Sequence, residues 1–217
     1  MLADSHGPIG DAITAVLAER GLEVPADLAE RVIGPPLPLA LQDVYGMDPS
    51  SEEVAAIVAD YRSRYRTTLH QTPGFPGMPE ALTALAGAGL RLGVATSKPL
   101  HYAELVLDAL GLRDRFAVVE GPALDGTEHK TETVERALAV LGNGVIALVG
   151  DRSFDIVAAH AHGLLGVGVL WGIGSRAELE EAGADAIVAQ PAELVPLLLA
   201  AAAARASRSV KRWTTGP

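Results

Sequence analysis

The stretch Val145-Ile-Ala-Leu-Val-Gly-Asp-Arg-Ser-Phe-Asp155 decides how this chain folds. Residues 145–149 are all apolar, Gly150 interrupts them, and polar residues follow at once. A continuous apolar run that short reads as a strand covered on both faces. Asp151 and Asp155, four apart, then sit one above the other on the face of a helix that begins there. A strand that hands over directly to a helix is half of a βαβ unit, and the same grammar recurs on both sides. Runs rich in Val, Leu and Ile at 90–95, 116–119, 166–170 and 186–188 alternate with helical patterns at 79–89, 100–110, 131–141, 154–162, 176–182 and 192–205. The expectation is an α/β core built on a mostly parallel sheet.

Upstream, the period changes. From Ile9 to His70 the apolar spacing is helical, with Ile9, Ile13, Val16 and Leu17 on one face and Val54, Ile57, Val58 and Tyr61 on another. Gly21, Gly34-Pro35-Pro36 and the turn at 46–51 divide this segment into short helices. Pro73-Gly-Phe-Pro-Gly-Met-Pro79 breaks both periodicities and marks a boundary. The expected division is a core at 1–8 and 78–206, an all-helical module at 9–77, and a flexible basic tail at 207–217.

Composition narrows the functional classes. With 49% apolar residues the chain can fill a core and a small insertion. The formal charge of -10, with basic residues dispersed until the last dozen positions, argues against nucleic acid as a partner. There is no cysteine, so any metal must be held by oxygen or histidine. The N-terminus shows no basic region followed by an apolar run, and the most apolar stretch, near 197–205, is short of the ~20 residues that cross a bilayer. A cytoplasmic location and no membrane partner are expected.

In an open parallel sheet, ligands bind beyond the carboxyl ends of the strands. Three groups of residues stand there, and each admits two readings. Asp151 and Asp155 suit a hard cation such as Mg²⁺, which takes one or two carboxylates besides water and phosphate; they also suit the capping of a helix start. Thr96, Ser97 and Lys98 end the strand at 92–95 and could receive a phosphate at a helix N-terminus, or simply cap that helix. Lys130, in Asp125-Gly-Thr-Glu-His-Lys, opens a helix where a cation faces the positive end of the dipole. It either neutralises carboxylates and phosphate or is solvated. Arg152 could contact substrate or be solvated, His129 could neighbour the site, and Trp171 could line it or pack on the adjacent loop.

Taken together, Thr96, Lys130 and Gly150-Asp151-x-x-x-Asp155 occur in the order and strand context of motifs II, III and IV of the haloacid dehalogenase superfamily. Ile33-Gly-Pro-Pro-Leu, Val94-Ala-Thr-Ser-Lys-Pro, Gly168-Val-Leu-Trp-Gly-Ile-Gly174, Glu178-Leu and Ala182-Gly-Ala-Asp extend the similarity to about Leu199 and resemble its phosphoglycolate phosphatase branch. The resemblance implies a Rossmann-like core with a small helical cap of the C1 type, and Mg²⁺-dependent hydrolysis of a small phosphorylated metabolite through an aspartyl-phosphate. It implies Asp151 and Asp155 at the metal, Thr96, Lys130 and Asp155 in catalysis, and Ser97, Lys98 and Arg152 at the substrate. A 5′-nucleotidase-type phosphatase is the alternative substrate reading, and a truncated, non-catalytic binder of metal or phosphate is the other.

The family's first motif, Asp-x-Asp-Gly-Thr-Leu-x-Asp-Ser, is matched only at its end, by Leu2-Ala3-Asp4-Ser5. In this alignment the nucleophile, the acid–base carboxylate and the central strand that carries them fall ahead of Met1, and Asp4 is expected to cap the first helix. The expectation is therefore a core whose first central strand is missing or truncated, restored by about ten upstream residues.

Overall fold

The computed structural model describes residues 1–33, 35–124 and 128–214, with 208–214 as backbone. The segment expected to be helical is so: α1 (His6–Glu19), α2 (Leu28–Val32), α3 (Leu37–Tyr45) and α4 (Glu52–Thr68). Each element starts or stops where its sequence allows. Ser51 Oγ accepts the Val54 N–H at the start of α4, with Glu52 and Glu53 in the first turn, and Gly46 ends α3 in the left-handed region. The apolar faces of α1 and α4 meet through Ile13, Val16, Leu17, Val54 and Ile57, which form a core of their own.

The remainder alternates strand and helix: α5 (Met78–Gly87), β1 (Gly93–Ala95), α6 (Leu100–Ala109), β2 (Val118–Glu120), α7 (Lys130–Leu141), β3 (Ala147–Gly150), α8 (Ser153–Ala161), β4 (Leu165–Val169), α9 (Arg176–Glu181), β5 (Ala186–Val188) and α10 (Pro191–Thr214). Every strand pairing is parallel, as the alternation requires. A second core joins α5, α6 and α10 to the strands through Leu82, Leu107, Val119, Val167 and Val169. The helical segment and the α/β part are linked by two adjacent passages of chain: Ala3 bridges Gly74, Asp4 N–H donates to Pro73 C=O and Phe75 N–H to Leu2 C=O.

The strands pair as two sheets, β1–β2 and β3–β4–β5, with no pairing between β1 and β3 among the described residues. One expectation needs correcting: the last helix does not end at Arg205, and its backbone stays helical to Thr214. The alanine-rich run at 200–206 has the highest intrinsic helix propensity and carries the helix on. Residues 215–217, Gly34 and Asp125 to Thr127 lie outside the described residues. Among the described residues no helix is long and apolar enough to cross a membrane.

Candidate active site

The carboxyl ends of β1 and β3 come together at Lys130. As the first residue of α7 it turns inward: Nζ lies 2.8 Å from Asp155 Oδ1 and 2.7 Å from the Ala95 carbonyl, and little of either charged side chain is exposed. Lys130 is therefore not solvated, and its awkward place at a helix start is offset by a carboxylate and a carbonyl. Asp155 caps its helix and pairs with Lys130 at once. Its Oδ2 accepts the Arg152 N–H at 3.2 Å, as a helix-capping carboxylate does, while Oδ1 meets Lys130. Burial alone would raise its carboxyl; Lys130 and the Arg152 N–H outweigh it and hold the group below its ordinary value.

Asp151, directly after β3, is 3% exposed, and its Oδ2 accepts the Ile173 N–H at 2.8 Å. Burial pushes its carboxyl up, against that N–H. A buried carboxylate served by a neutral donor and lining an open cleft is poised for a cation. Glycines make room for both carboxylates. A Cβ on Gly150 would fall 2.1 Å from Asp155 Cγ, and one on Gly172 2.2 Å from Asp151 Oδ2. On Gly174 it would fall 1.8 Å from the Asp151 carbonyl. The donor set fits Mg²⁺, which keeps most of its waters; among the described residues no three His, Asp or Glu side chains gather into a full protein cage.

The strand-end polar residues divide. Thr96 N–H closes the β1–β2 ladder on Glu120, and its Oγ1 accepts the Lys98 N–H at 3.1 Å, so the hydroxyl shapes its own turn while lining the cleft. Ser97 is not a cap, because α6 starts later, after Pro99; its side chain is exposed at the cleft mouth. Lys98 bonds the Tyr65 hydroxyl, with Nζ 4.5 Å from that ring's centroid. Arg152 is not solvated either. Its Nε donates to Glu178 at 2.9 Å, and its other end reaches the Ile33 carbonyl of the helical segment.

Several participants lay outside the residues marked from sequence. Glu178 accepts the Ser153 N–H at 2.8 Å as well as Arg152, and the two together hold its carboxyl below the ordinary value although burial opposes them. Tyr65, 1% exposed on α4, anchors Lys98. The glycines of Trp171-Gly-Ile-Gly174 wrap Asp151. The glycines left a sequence signal, two in three residues just past a strand, and Glu178 one through the family similarity alone; Tyr65 left none. Trp171 both lines the cleft and packs on the core, its Nε1–H donating to Met1 C=O at 3.3 Å. His129 spends its N–H on Glu132 at the start of α7. Asp4 is not the N-cap of α1, which is Ser5; from one residue further out its Oδ1 accepts the His6 N–H at 3.2 Å.

Thr96, Ser97, Lys98, Lys130, Asp151, Arg152 and Asp155 line one cleft, closed on its far side by Pro35, Leu37 and Tyr61 of the helical segment. Comparison with known proteins shows the family. A 5′-nucleotidase of Pseudomonas aeruginosa is 37% identical over 184 residues, 82% of each chain. A phosphoglycolate phosphatase of Xanthomonas campestris is 33% identical over 204 residues, covering 89% of this chain and 90% of that protein. A haloacid dehalogenase-like family hydrolase from Streptococcus pneumoniae superposes with a TM-score of 0.82 at 25% identity, over 91% of this chain and 93% of that one. The family model for haloacid dehalogenase-like hydrolases matches residues 1–169. The chain belongs to the haloacid dehalogenase-like hydrolase family.

Proposed function

We propose that this protein is a magnesium-dependent phosphatase of small phosphomonoesters. The observation that carries the reading is the meeting of Thr96, Lys130, Asp151 and Asp155 around one cleft, with Lys130 Nζ 2.8 Å from Asp155. Asp151 would hold the ion, with Asp155 behind it, and bound magnesium would supply positive charge to the phosphoryl oxygens. Lys130 keeps Asp155 ionised and sets an ammonium beside the transferring group, where developing charge is best stabilised in advance. Thr96 orients the phosphoryl group, and Ser97, Lys98 and Arg152 receive the rest of the substrate. The helical module at 9–77 acts as a cap on the core at 1–8 and 78–206, and its closure excludes bulk water. The attacking and acid–base carboxylates are assigned to the first-strand motif, which does not occur within residues 1–217.

Phosphoglycolate and similar small metabolites of the cytoplasm are the substrates this reading favours. A nucleoside 5′-monophosphate is the second reading, supported by the relative from P. aeruginosa. The test is turnover of p-nitrophenyl phosphate, phosphoglycolate and nucleoside 5′-monophosphates with Mg²⁺, by the 217-residue chain and by one carrying Asp-x-Asp-Gly-Thr ahead of Leu2. Hydrolysis is expected from the second protein and is lost on chelation. Turnover by neither protein would instead favour the non-catalytic binder.

A further inference from the structure

Arg152 and the Ile33-Gly-Pro-Pro-Leu motif lie far apart along the chain, and one guanidinium joins them. Arg152 is the N-cap residue of α8, directly after Asp151, and its N–H is taken by Asp155 Oδ2. The root of the side chain is thus fixed by the carboxylate that also meets Lys130. From there it runs out to Glu178, where Nε donates to Oε1 at 2.9 Å and both side chains are largely buried. Glu178 is held in turn, since the same Oε1 accepts the Ser153 N–H at 2.8 Å and Ser175 Oγ accepts the Glu178 N–H at 3.1 Å. A planar fork secured at Nε presents its other donors in one direction.

That direction is the helical segment. Nη1 donates to the carbonyl of Ile33, the C-cap of α2, a group that a helix end leaves without an internal partner. Pro35, Pro36 and Leu37 come next and wall the cleft. Each proline locks its own φ, so this turn is stiff and follows its anchor. Two other side chains cross between the parts, Arg62 to the Leu124 carbonyl and Lys98 to the Tyr65 hydroxyl, and both crossings involve α4, which leads back toward the Ala3–Gly74 bridge. The segment is therefore joined to the core at one end by its two chain passages, and Arg152 holds it at the other, across the cleft. Nη2 makes no hydrogen bond among the described residues, and Arg152 lines the cleft with Asp151.

We infer that Arg152 is a positioning residue, a clasp that, braced by Glu178, seats the Ile33–Leu37 turn of the helical segment over the aspartate-bearing end of β3. The consequence for substrate rests on the phosphatase reading: the seated turn sets the room left for the alcohol part of a phosphomonoester, and Nη2 is presented to it only while the clasp is made. The clasp itself needs neither metal nor substrate.

Its test needs neither, too. The chain has no cysteine, so Gln42→Cys on α3 and Glu181→Cys on α9, both exposed, carry a pair of spin labels on the full protein without competition. Electron–electron double resonance then reads the distance between the turn's helix and the core. A single narrow peak is expected for the parent. In Arg152→Ala, and in Arg152→Lys, which keeps the charge beside the aspartates but not the fork, the population in that peak should fall at least about twofold in favour of longer distances. Glu178→Ala should act in the same direction, and Ser51→Ala, which weakens α4 without touching the clasp, should leave the peak unchanged. An unaltered peak in both Arg152 variants overturns the inference and leaves the phosphatase reading standing. An equal change in Ser51→Ala overturns it too, because any loss of stability would then loosen the segment, as does a parent distribution that is already broad.

Discussion

Lys130 joins the two halves of the candidate site, and its removal should be felt in stability as well as in chemistry. Lys130→Met leaves Asp155 buried without its cation, and breaking one side of such a pair costs about 3–5 kcal/mol. Urea unfolding at pH 7 checks this, and the loss should shrink at acid pH, where Asp155 takes a proton. Glycine at 174 is held to its identity by contact: with a Cβ 1.8 Å from the Asp151 carbonyl, Gly174→Ala must displace the loop. An overpacking cost of about 1–3 kcal/mol is expected, together with weaker Mg²⁺ binding by titration calorimetry. Glu178 sets a pH dependence of known sign. Its folded value lies below its ordinary 4.5, so its contribution is present above pH 4.5 and is lost as pH falls through the folded value. Glu178→Gln should flatten the stability–pH curve in that acid window, measured by thermal unfolding from pH 3 to 7.

Among the elements, α4 shows how a local signal and a distant contact share one helix. Ser51 caps it, Glu52 and Glu53 complement its dipole, and Val54 and Ile57 bury its face; all of this is legible in the order of residues. Ser51→Ala should cost about 0.5–2 kcal/mol and lower the unfolding temperature, with little effect on the cleft. Tyr65 near the end of the same helix is different, because its partner Lys98 is remote in sequence and no periodicity announces the pair. The five strands were found at the expected places, but β1, β2 and β3 are shorter than the apolar runs that revealed them, with β1 reduced from 90–95 to Gly93–Ala95. Ladder pairing, rather than apolarity, defines a strand's ends, and β1 has a partner on only one edge.

At the scale of the molecule, two apolar cores meet across a cleft whose floor belongs to the α/β part and whose far wall belongs to the helical segment. Arg152 spans the two, reaching Glu178 on one side and the Ile33 carbonyl on the other. Ligand linkage gives a whole-molecule test of the cation site. If Asp151 holds Mg²⁺, a concentration of about 100 times Kd stabilises the fold by about 2.7 kcal/mol. Calorimetry should show that upward shift in unfolding temperature for the native chain and its absence in Asp151→Asn.

The order of residues alone determined the alternation of strands and helices, the all-helical character of the first third, and the set of polar groups at the strand ends, because periodicity and turn chemistry act over a few neighbours. It left Asp155 between cap and metal ligand, and Lys130 and Arg152 between site and solvent. Only the tertiary structure gave their partners, since each lies far along the chain: Asp155 for Lys130, Glu178 and Ile33 for Arg152, Tyr65 for Lys98. The division into two sheets was decided there too, because a hydrogen-bonded ladder forms only where two strand edges come within reach, and the edges of β1 and β3 face a cavity instead of each other.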